Sequence, residues 1–522
     1  MTLSRRAFGR LGAAGLLLPA AAGCGVSLRG LSAGNNSAQG SAGTELSSAV
    51  PLPTPFTRPL PIPEVLPPLR SDADGDHYEI TQRAARADIL PGLSTEVWGY
   101  NGTFPGPTIV SRRGRPTVVT HRNELPVPVV VHLHGGRTPA EHDGYPTDMI
   151  LPVGGTGGHA GHRGGGMPAT GSRAYVYPMD QPAATLWYHD HRMDFTGPQV
   201  YRGLAGFHIV RDDAEDALGL PAGERDIPLM IADRAFAADG SFAYPSVDPS
   251  LTGTPGVTAE YMSGVLGDCI LVNGAPWPVL EVDAARYRFR LLNASNARRY
   301  QLELDPPAPM VQVGSDLGLL AAPVAHERID IAQAERFDVV VDFSRYAVGD
   351  EVTLLNRYGS GGAAYVMRFR VARRAADGSR IPQRLADIRP LTPSDAVVER
   401  SFVFSRGGAE AHGMTLWTVN DQPFDPSSSH ADPRLGSVEL WRVRALNVEH
   451  PFHIHLAQFQ VLRKGGQGPG RFDGGWKDTV NLDNGDRADL LVRFDGYRGR
   501  YVMHCHNLEH EDMMMMANFD VV

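Results

Sequence analysis

The sequence predicts an all-β chain built from three β-sandwich domains in tandem. Its 522 residues are enough for about three domains. Its 58 glycines and 41 prolines favour many turns and short strands over long helices. The third observation is an internal repeat, in which three landmarks recur in the same order three times. A hydrophobic content of 42% with 20% charged residues excludes a disordered or fibrous chain.

Each copy of the repeat begins with a turn rich in asparagine, glycine and proline. A strand that ends in asparagine follows, and another short strand lies near the end of the copy. In the second copy, Tyr287, Phe289 and Leu291 alternate with arginines, as in a half-buried strand. Because coincidence explains three ordered landmarks in three copies poorly, we place the domains at 76–212, 213–375 and 376–522. The turns span 101–107, 273–278 and 420–425, the first strands 117–123, 287–293 and 440–447, and the second strands 185–188, 352–355 and 501–503.

Residues 1–24 are predicted to be an export signal. The arginine pair at 5–6 precedes a short apolar run at 11–23, which is typical of the twin-arginine (Tat) pathway. The residues before Cys24 resemble a lipobox, so a lipid anchor on this cysteine is left open. Residues 25–75 are rich in Ser, Gly and Pro, and we expect them to form a flexible tether. The expected location is periplasmic or extracellular, with a membrane-anchored lipoprotein as the alternative.

Charge and cysteine content exclude two further classes. A formal net charge of -9 without a basic block argues against nucleic acid as a partner. Only three cysteines are present, so a disulfide scaffold is excluded. Beyond the signal, no segment approaches the roughly 20 apolar residues that a membrane span needs. The sequence predicts no oligomeric state.

Ten of the 19 histidines fall in four short clusters, and all four lie in the outer two copies of the repeat. At the matching places the middle copy carries 298–300 and 356–358, which contain no histidine. We therefore predict a site shared between the first and third domains, with the second domain as a spacer. The clusters are His132 and His134; His189 and His191; His450, His453 and His455; and His504, His506 and His510.

Alternate residues of a strand point to the same face, so each pair with this spacing should present two imidazoles together. Eight imidazoles from four strands can then line one cavity. Such a cluster of buried polar rings is costly unless the rings bind metal. Hydrogen bonds from single histidines to the backbone would explain one such pair as well as a metal site does, but they explain four pairs poorly.

Cys505 lies between His504 and His506, so its sulfur leaves the opposite face of that strand. Two histidines, one thiolate and a weak axial thioether form a blue-copper electron-transfer site, and His450, His510 and a methionine are available for it. Two metal sites would then lie on the two faces of one strand. The methionine run at 513–516 leaves the axial ligand ambiguous on pattern alone. Its extra thioethers would suit Cu(I), although packing in a last strand is the simpler interpretation.

These motifs resemble the four copper signatures of the multicopper oxidases, over nearly all of the chain after the tether. Within that family, the stretch from His134 to Gly144 and the ending His510-Glu511-Asp512 are most similar to bacterial spore-coat laccase, phenoxazinone synthase and bilirubin oxidase. The signatures are His132-Leu133-His134-Gly135, Trp187-Tyr188-His189-Asp190-His191, His450-Pro451-Phe452-His453-Ile454-His455, and His504-Cys505-His506 through Met515.

The resemblance implies three tandem cupredoxin-like Greek-key domains, four copper ions and reduction of dioxygen to water. It also implies how the residues divide among the metals, with Met515 selected as the axial ligand. The type 1 copper would take His450, Cys505, His510 and Met515; the type 2 copper His132 and His453; one type 3 copper His134, His189 and His506; and the other His191, His455 and His504.

Dioxygen reduction consumes protons, so a carboxylate is needed near the cluster as a donor or relay. The resemblance implies that Glu511 and Asp143 have this catalytic role, together with Cys505 as the point of electron entry. For Asp143, a solvated loop carboxylate stays open as the alternative. The glycine-rich loop at 154–171, with His159 and His162, would be either a mobile lid or plain surface.

We therefore expect an exported, laccase-like enzyme that oxidises phenols, diphenols, aminophenols or similar aromatics with dioxygen as acceptor. The alternative within the enzyme class is a metallo-oxidase of Cu(I), Mn(II) or Fe(II) in copper tolerance. A copper-free cupredoxin scaffold of the cell envelope is the alternative outside the enzyme class. An electron carrier without oxygen chemistry is a further alternative, but it would leave eight histidines unexplained. The expected partners are a small aromatic reductant or a metal ion, and dioxygen.

Overall fold

The structure is a computed structural model that describes residues 40–154, 166–411 and 413–522. The predicted export signal, Cys24, His159 and His162 lie outside the described residues. The described strands form eight sheets, of which two have only two strands and the other six make three pairs, one pair for each predicted sandwich. The prediction of an all-β fold with tandem sandwiches is confirmed.

The first sandwich packs a five-stranded sheet against a four-stranded one. The five-stranded sheet has the order β10-β6-β3-β2 with β4 beside β3, and the four-stranded sheet has the order β5-β12-β11-β7. The elements up to its end are β1 (Thr44–Leu46), β2 (Arg70–Asp72), β3 (Gly75–Ala87), β4 (Thr95–Tyr100), β5 (Gly106–Arg112), β6 (Thr117–Asn123), β7 (Val131–His134), β8 (Ile150–Leu151), β9 (Ala169–Thr170), β10 (Ser172–Tyr177), β11 (Ala184–Asp190), α1 (Thr196–Arg202) and β12 (Ala205–Arg211).

The second sandwich has sheets of eight and five strands. Their orders are β17-β16-β13-β19-β24-β21-β22, with β14 beside β13, and β18-β26-β25-β20-β23. Its elements are α2 (Asp213–Asp216), β13 (Asp226–Phe236), β14 (Phe242–Ala243), β15 (Val265–Gly267), β16 (Cys269–Val272), β17 (Ala275–Pro276), β18 (Val279–Ala284), β19 (Arg286–Asn293), β20 (Tyr300–Asp305), β21 (Met310–Ser315), β22 (Gly318–His326), β23 (Arg328–Ile331), β24 (Arg336–Asp342), β25 (Glu351–Asn356) and β26 (Tyr365–Arg374).

The third sandwich has sheets of five and four strands. Their orders are β28-β27-β29-β33-β31 and β32-β30-β34-β35. Its elements are β27 (Ala396–Ala411), β28 (Met414–Val419), β29 (Val438–Ala445), β30 (His450–Ile454), β31 (Gln458–Lys464), β32 (Thr479–Leu482), β33 (Arg487–Arg493), β34 (Gly499–Cys505), α3 (Leu508–Asp512) and β35 (Met516–Val521).

Helical structure in the described residues is confined to short pieces. Besides the three α-helices there are single 3-10 turns, and no described helix is long and apolar enough to cross a membrane. The 3-10 turns span Ala140–His142, Gly223–Arg225, Ala259–Tyr261, Phe343–Arg345, Gly361–Ala364 and Pro393–Asp395.

The internal repeat is visible in the backbone. Asn101, Asn273 and Asn420, one in each predicted turn, all have left-handed backbone conformations with φ of 57°, 49° and 53°. Each asparagine Oδ1 accepts a backbone N–H of the first long strand of its sandwich, at 2.8 to 2.9 Å. In every sandwich that first strand pairs in parallel with the strand predicted to end in asparagine: β3 with β6, β13 with β19, and β27 with β29. Asparagine suits this turn because it tolerates positive φ and bonds the backbone locally.

The prediction of a flexible tether over 25–75 is wrong for its described part, residues 40–75. Strand β1 pairs in parallel with β15 of the second sandwich. Leu60 is buried, and Leu52 and Phe56 pack against the core of that sandwich. Apolar side chains between the prolines explain the difference, because an extended segment that buries them is held on the surface instead of remaining free.

Candidate metal centres

The third sandwich holds a compact group of one sulfur and two imidazoles. His450 begins β30, Cys505 ends β34, and His510 lies in α3, a short helix capped by Asn507. Sγ of Cys505 lies 3.5 Å from Nδ1 of each histidine, and the two nitrogens are 3.1 Å apart. All three side chains are buried, and their donor atoms converge on one point, so we call the group the mononuclear centre.

The second nitrogen of His450 fixes the orientation of its ring. Nε2 donates to the carbonyl of Leu446 at 3.0 Å, which leaves Nδ1 as the lone-pair nitrogen toward Cys505. Asn507 N donates to Sγ of Cys505 at 3.4 Å, so the same residue caps α3 and contacts the sulfur. The backbone of α3 therefore holds His510 over the end of β34.

Of the four consecutive methionines, Met515 lies beside the mononuclear centre. Its N–H donates to the carbonyl of His510 at 3.0 Å, and its carbonyl accepts the N–H of Cys505 at 3.2 Å. Strands β34 and β35 pair His504 with Met516, so the next position along puts Met515 opposite Cys505 on the same face. This position fits the predicted axial ligand.

The indole of Trp417 packs against the mononuclear centre and is itself buried. Its ring centroid lies 3.9 Å from that of His510, with an interplanar angle of 34°. The indole N–H donates to the carbonyl of Met262, in the second sandwich, at 2.9 Å. The guanidinium of the exposed Arg406 lies 5.7 Å from the indole ring. Neither Trp417 nor His510 offers exposed surface to a reducing molecule in solution.

Eight further imidazoles meet between the first and third sandwiches, and all are buried. They lie in or directly after β7, β11, β30 and β34. Rings from the two sandwiches stack on each other with centroids 3.7 Å apart, His132 on His455 and His134 on His453. We call this set the histidine cluster: His132, His134, His189, His191, His453, His455, His504 and His506.

Ring nitrogens converge at more than one point of the histidine cluster. Nε2 of His504 lies 3.2 Å from Nε2 of His191 and 3.3 Å from Nε2 of His455. Nitrogens of His132, His134 and His189 form a second close group, and those of His132, His453 and His455 a third. Neither ring nitrogen of His506 has a hydrogen-bond partner among the described residues, and its ring lies 5.1 Å from His134 and 5.3 Å from His189, centroid to centroid. Such spacing suits several metal ions held close together.

The tautomers of these rings test whether metal fits the cluster. Nδ1 donates to a backbone carbonyl in four rings, from His132 to Asp143 O, His189 to Asp190 O, His453 to Asp478 O and His504 to Cys505 O, at 2.6 to 3.1 Å. In His132, His189 and His453 the opposite nitrogen, Nε2, is buried and has no hydrogen-bond partner in the described part of the chain. A buried nitrogen without a partner is costly, whereas a lone pair held toward a metal by an outer hydrogen bond is the usual arrangement of a ligating histidine. The residues fit metal.

Burial also favours the neutral form in seven of these eight imidazoles. It lowers the pKa of His189 to about 3 and that of His191 to about 4. Burial likewise lowers the pKa well below the ordinary value in His132, His134, His453, His455 and His506. A neutral imidazole offers the lone pair that a metal needs.

The mononuclear centre and the histidine cluster are joined through consecutive residues. Cys505 belongs to the first group, and its neighbours His504 and His506 belong to the second. The carbonyl of Cys505 also accepts Nδ1–H of His504 at 3.1 Å. Covalent bonds and this hydrogen bond therefore connect the sulfur to an imidazole of the cluster.

Both predicted carboxylates contact cluster histidines. Oδ2 of Asp143 accepts Nδ1–H of His455 at 2.6 Å. The Glu511 carboxylate lies 3.2 Å from Nδ1 of His504 and 3.5 Å from Nδ1 of His191. Asp143 is 1% exposed, so its alternative interpretation as a solvated loop carboxylate is wrong.

The surroundings shift the two carboxyl pKa values in opposite directions. Burial raises the pKa of Asp143 well above its ordinary value. Burial also raises the pKa of Glu511, but His191 and His504 outweigh it and hold that pKa below its usual range. One carboxyl is thereby favoured as an acid and the other as a carboxylate.

Sequence reasoning missed two aspartates that hold the cluster in place. The Asp190 carboxylate accepts the backbone N–H of Val130 and of Arg192, each at 3.0 Å, while its carbonyl accepts from His189. The Asp478 carboxylate lies 3.2 Å from Nε2 of His134. The signal for Asp190 was its place inside a His-Asp-His motif, whereas nothing in the local sequence marks Asp478.

Comparisons with known proteins show which family the chain is similar to. Two multicopper oxidase family models match the chain, at residues 82–215 and 396–522. A laccase of Bacillus stratosphericus is 38% identical over 90% of this chain and 99% of its own length. A bilirubin oxidase of Albifimbria verrucaria is 35% identical over 89% of this chain and 81% of its own. The crystal structure of a multi-copper oxidase from Pediococcus acidilactici superposes with a TM-score of 0.78 at 32% identity, covering 92% of this chain and 93% of the other.

Proposed function

The chain belongs to the multicopper oxidase family, and we propose that it is a laccase-like enzyme acting on phenols, diphenols and aminophenols. The family implies copper binding and an oxidoreductase that uses oxygen. In the proposed reaction, four phenol molecules each lose one electron and one proton, and one dioxygen becomes two molecules of water. The observation that carries the proposal is the direct connection of the mononuclear centre to the histidine cluster through residues 504–506.

We assign four copper ions to the two groups of side chains. The mononuclear centre suits a type 1 copper, because two imidazoles, a thiolate and an axial thioether are its usual donors. The ring nitrogens of His191, His455 and His504 converge as one type 3 site requires, and the division of the other histidines follows from the family resemblance. These are His450, Cys505, His510 and Met515 for type 1; His132 and His453 for type 2; His134, His189 and His506 for one type 3 copper; and His191, His455 and His504 for the other.

Bound copper would supply the one-electron chemistry that no amino-acid side chain in the site provides. The protein residues hold the donor atoms in place, exclude water and supply protons. His510 and the adjacent Trp417 are both buried, so oxidation of a substrate at the protein surface would be outer-sphere and would demand little shape recognition. Glu511 and Asp143 are the groups placed to pass protons toward the cluster, since both touch its imidazoles.

A metallo-oxidase of Cu(I), Mn(II) or Fe(II) is the second candidate, and the methionine run is its strongest support. Met513, Met515 and Met516 are buried in packed apolar clusters, and Met514 is half-buried. Thioethers that serve a metal substrate would need access from solvent, so this burial favours packing and the phenol oxidase.

A copper-free envelope scaffold is the candidate from another class. Such a protein has no reason to keep buried imidazole nitrogens without partners, because each would cost stability. Here nine of the ten predicted histidines and Cys505 lie in close donor groups, and the ring of the tenth, His506, packs against rings of the cluster. The complete donor set therefore favours the enzyme.

Copper stoichiometry combined with an optical spectrum tests the proposal. We expect about four coppers per chain and an intense thiolate-to-Cu(II) absorption band from the type 1 site. Steady-state oxygen consumption with a phenol and with Cu(I) then separates the two enzyme candidates. A protein without copper and without oxygen turnover would instead support the scaffold.

We also propose export through the Tat pathway to the periplasm or the cell exterior, with a lipid anchor on Cys24 as an option. The support is the arginine pair at 5–6 and the apolar run after it. The double variant Arg5→Lys, Arg6→Lys should keep the protein in the cytoplasm, which cell fractionation measures. Cys24→Ser should release the protein from the membrane fraction if the anchor exists.

A further inference from the structure

We propose that Arg336, in the second sandwich, is a positioning residue for the histidine cluster and acts through Asp478 in the third. The inference rests on the proposed function, since it assigns a role in holding the type 2 and type 3 copper ligands. It gives the second sandwich, which the sequence presents as a spacer, a part in the metal site.

Arg336 is the first residue of β24 and is fully buried. All five guanidinium N–H groups have acceptors, and these come from all three sandwiches. Two N–H groups form a bidentate pair with the Asp478 carboxylate, at 2.8 Å to Oδ1 and 2.5 Å to Oδ2. The other three go to the carbonyls of Thr185, Ala334 and Asp316, at 3.1, 2.9 and 3.0 Å. A planar fork held at five points has very little freedom to rotate.

Asp478, which the guanidinium holds in place, in turn orients two histidines whose rings face each other. Its Oδ1 accepts from Nε2 of His134 at 3.2 Å, which leaves Nδ1 of that ring buried without a partner among the described residues. Its backbone carbonyl accepts Nδ1–H of His453 at 2.9 Å, which leaves Nε2 of that ring also buried and without a partner among the described residues. The hydroxyl of Thr479 donates to Oδ1 at 2.8 Å and lies 3.1 Å from Nδ1 of His453. One aspartate thus sets which nitrogen each ring offers to metal.

The backbone next to His134 is shaped for this pair. Gly135 has a φ of +85° and lies so close that an added Cβ would come 2.8 Å from the Arg336 guanidinium and 3.1 Å from Oδ2 of Asp478. Any side chain here would push the arginine or the aspartate aside. The glycine that follows the first histidine pair therefore gives the guanidinium room to reach the site.

Lysine cannot replace this arginine. A single ammonium has no fork to hold both carboxylate oxygens, and it cannot serve five acceptors. A lysine is already nearby: Nζ of Lys477 lies 3.0 Å from Asp316 and 3.2 Å from Glu335. It pairs with the carboxylates of the second sandwich and leaves Asp478 to Arg336.

The test compares Arg336→Lys and Asp478→Asn with wild type, using full-length enzyme loaded with copper. Copper per chain, the type 1 absorption band and the electron paramagnetic resonance signal of type 2 copper are measured on each. We expect both variants to keep the type 1 band, because no described contact joins the mononuclear centre to this pair. The affinity for the cluster copper should fall roughly 10- to 100-fold, as on loss of an outer partner of a ligand.

Arg290→Lys is the matched control. Arg290 is equally buried and bonds both oxygens of Asp226, at 2.8 and 3.0 Å, and among the described residues it bonds no histidine. Loss of this pair should reduce stability without changing the type 2 signal. If Arg336→Lys and Asp478→Asn both keep full copper and an unaltered type 2 signal, the inference is overturned. Should Arg336→Lys fail to fold, Asp478→Asn decides alone. A wild type that binds no copper would refute the proposed function itself, and this inference with it.

Discussion

Oδ2 of Asp143, in the first sandwich, accepts Nδ1–H of His455, in the third, across 2.6 Å. The backbone carbonyl of Asp143 accepts Nδ1–H of His132, also at 2.6 Å. The rings of His132 and His455 stack with centroids 3.7 Å apart. A single residue therefore fixes two imidazoles that come from different sandwiches, and it holds a titratable group against one of them.

Asp143→Asn should slow the reduction of dioxygen. The amide keeps nearly the same shape and can still accept a hydrogen bond, but it cannot bear a negative charge or pass a proton. We expect oxygen consumption per bound copper to fall on the order of 10- to 100-fold, while the type 1 band stays at its wild-type value. Asp148→Asn is the control, since that carboxylate is buried nearby but pairs with Arg173. Equal rates of oxygen consumption in Asp143→Asn and Asp148→Asn would contradict the proposed role of Asp143 in proton transfer.

Cys505→Ser should abolish both the blue absorption and turnover. The hydroxyl is similar in size but is not a soft donor, so type 1 copper loses the ligand on which its colour and electron entry depend. Cys269→Ser alters the other described cysteine, which is also buried, and should leave spectrum and rate unchanged. Turnover retained by Cys505→Ser would refute the proposed point of electron entry.

Trp417→Leu should increase the rate with bulky phenols. The smaller side chain leaves a cavity beside His510 and loosens the packing there, so an aromatic reductant can come closer to the mononuclear centre. Steady-state kcat/KM for a bulky and a small phenol measures this, and the bulky one should gain more. Trp441→Leu is the control, because Trp441 is equally buried but packs on Phe402 and Phe494 instead of a ligand. Each variant should lose on the order of 2–4 kcal/mol of stability. A fall in kcat/KM for Trp417→Leu alone would mean that the indole assists electron transfer.

Removal of copper should lower the thermal stability. Buried imidazole nitrogens of the histidine cluster have no partner without metal in the described part of the chain, so the native state loses the binding free energy when the ions leave. We expect a lower Tm after reduction and chelation, and recovery of Tm when copper returns. Differential scanning calorimetry measures both steps. A Tm that does not depend on copper would show that the donor sets are not occupied.

Asp226→Asn should destabilise the protein more at neutral pH than in acid. Burial raises the pKa of Asp226, but Arg290, Arg288 and Arg211 outweigh it and hold the pKa below its usual range. A carboxyl with a depressed folded pKa contributes stability above its unfolded pKa of about 4, and that contribution is lost as pH falls toward the folded value. The cost at pH 7 should be about 3–5 kcal/mol.

Denaturant unfolding of wild type and Asp226→Asn between about pH 2 and pH 7 measures this difference, which should shrink below about pH 4. The control Asp432→Asn removes a carboxylate that is 76% exposed in its pair with Arg400, and it should change stability by less than about 1 kcal/mol at any pH. If the stability difference between wild type and Asp226→Asn stayed constant with pH, it would contradict the lowered pKa of Asp226.

Much of the fold and of the site could be predicted because the information is local. The predicted strand at 117–123 is β6, and those at 287–293 and 440–447 lie within two residues of β19 and β29. Turn asparagines and alternating apolar residues report backbone geometry within a few positions. Histidines two apart in a strand must share a face, so this spacing by itself predicts that the imidazoles point into the site in pairs.

Other parts depend on contacts between residues far apart in the chain. Arg336 and Asp478 are 142 positions apart, and no local pattern relates them. Trp417 and Met262 are 155 positions apart, so no local pattern indicates the indole that packs against the mononuclear centre either. Residues 40–75 have the composition of a tether, and only their contacts with the second sandwich show that they are held in place.

The sequence alone determined which side chains could bind metal, because the geometry of a strand dictates which neighbouring side chains point to the same face. Tertiary structure decided how those side chains are oriented, protonated and covered. The reason is that a tautomer, a buried charge or a solvent barrier is set by whichever groups the fold brings to it, and here those groups come from all three sandwiches.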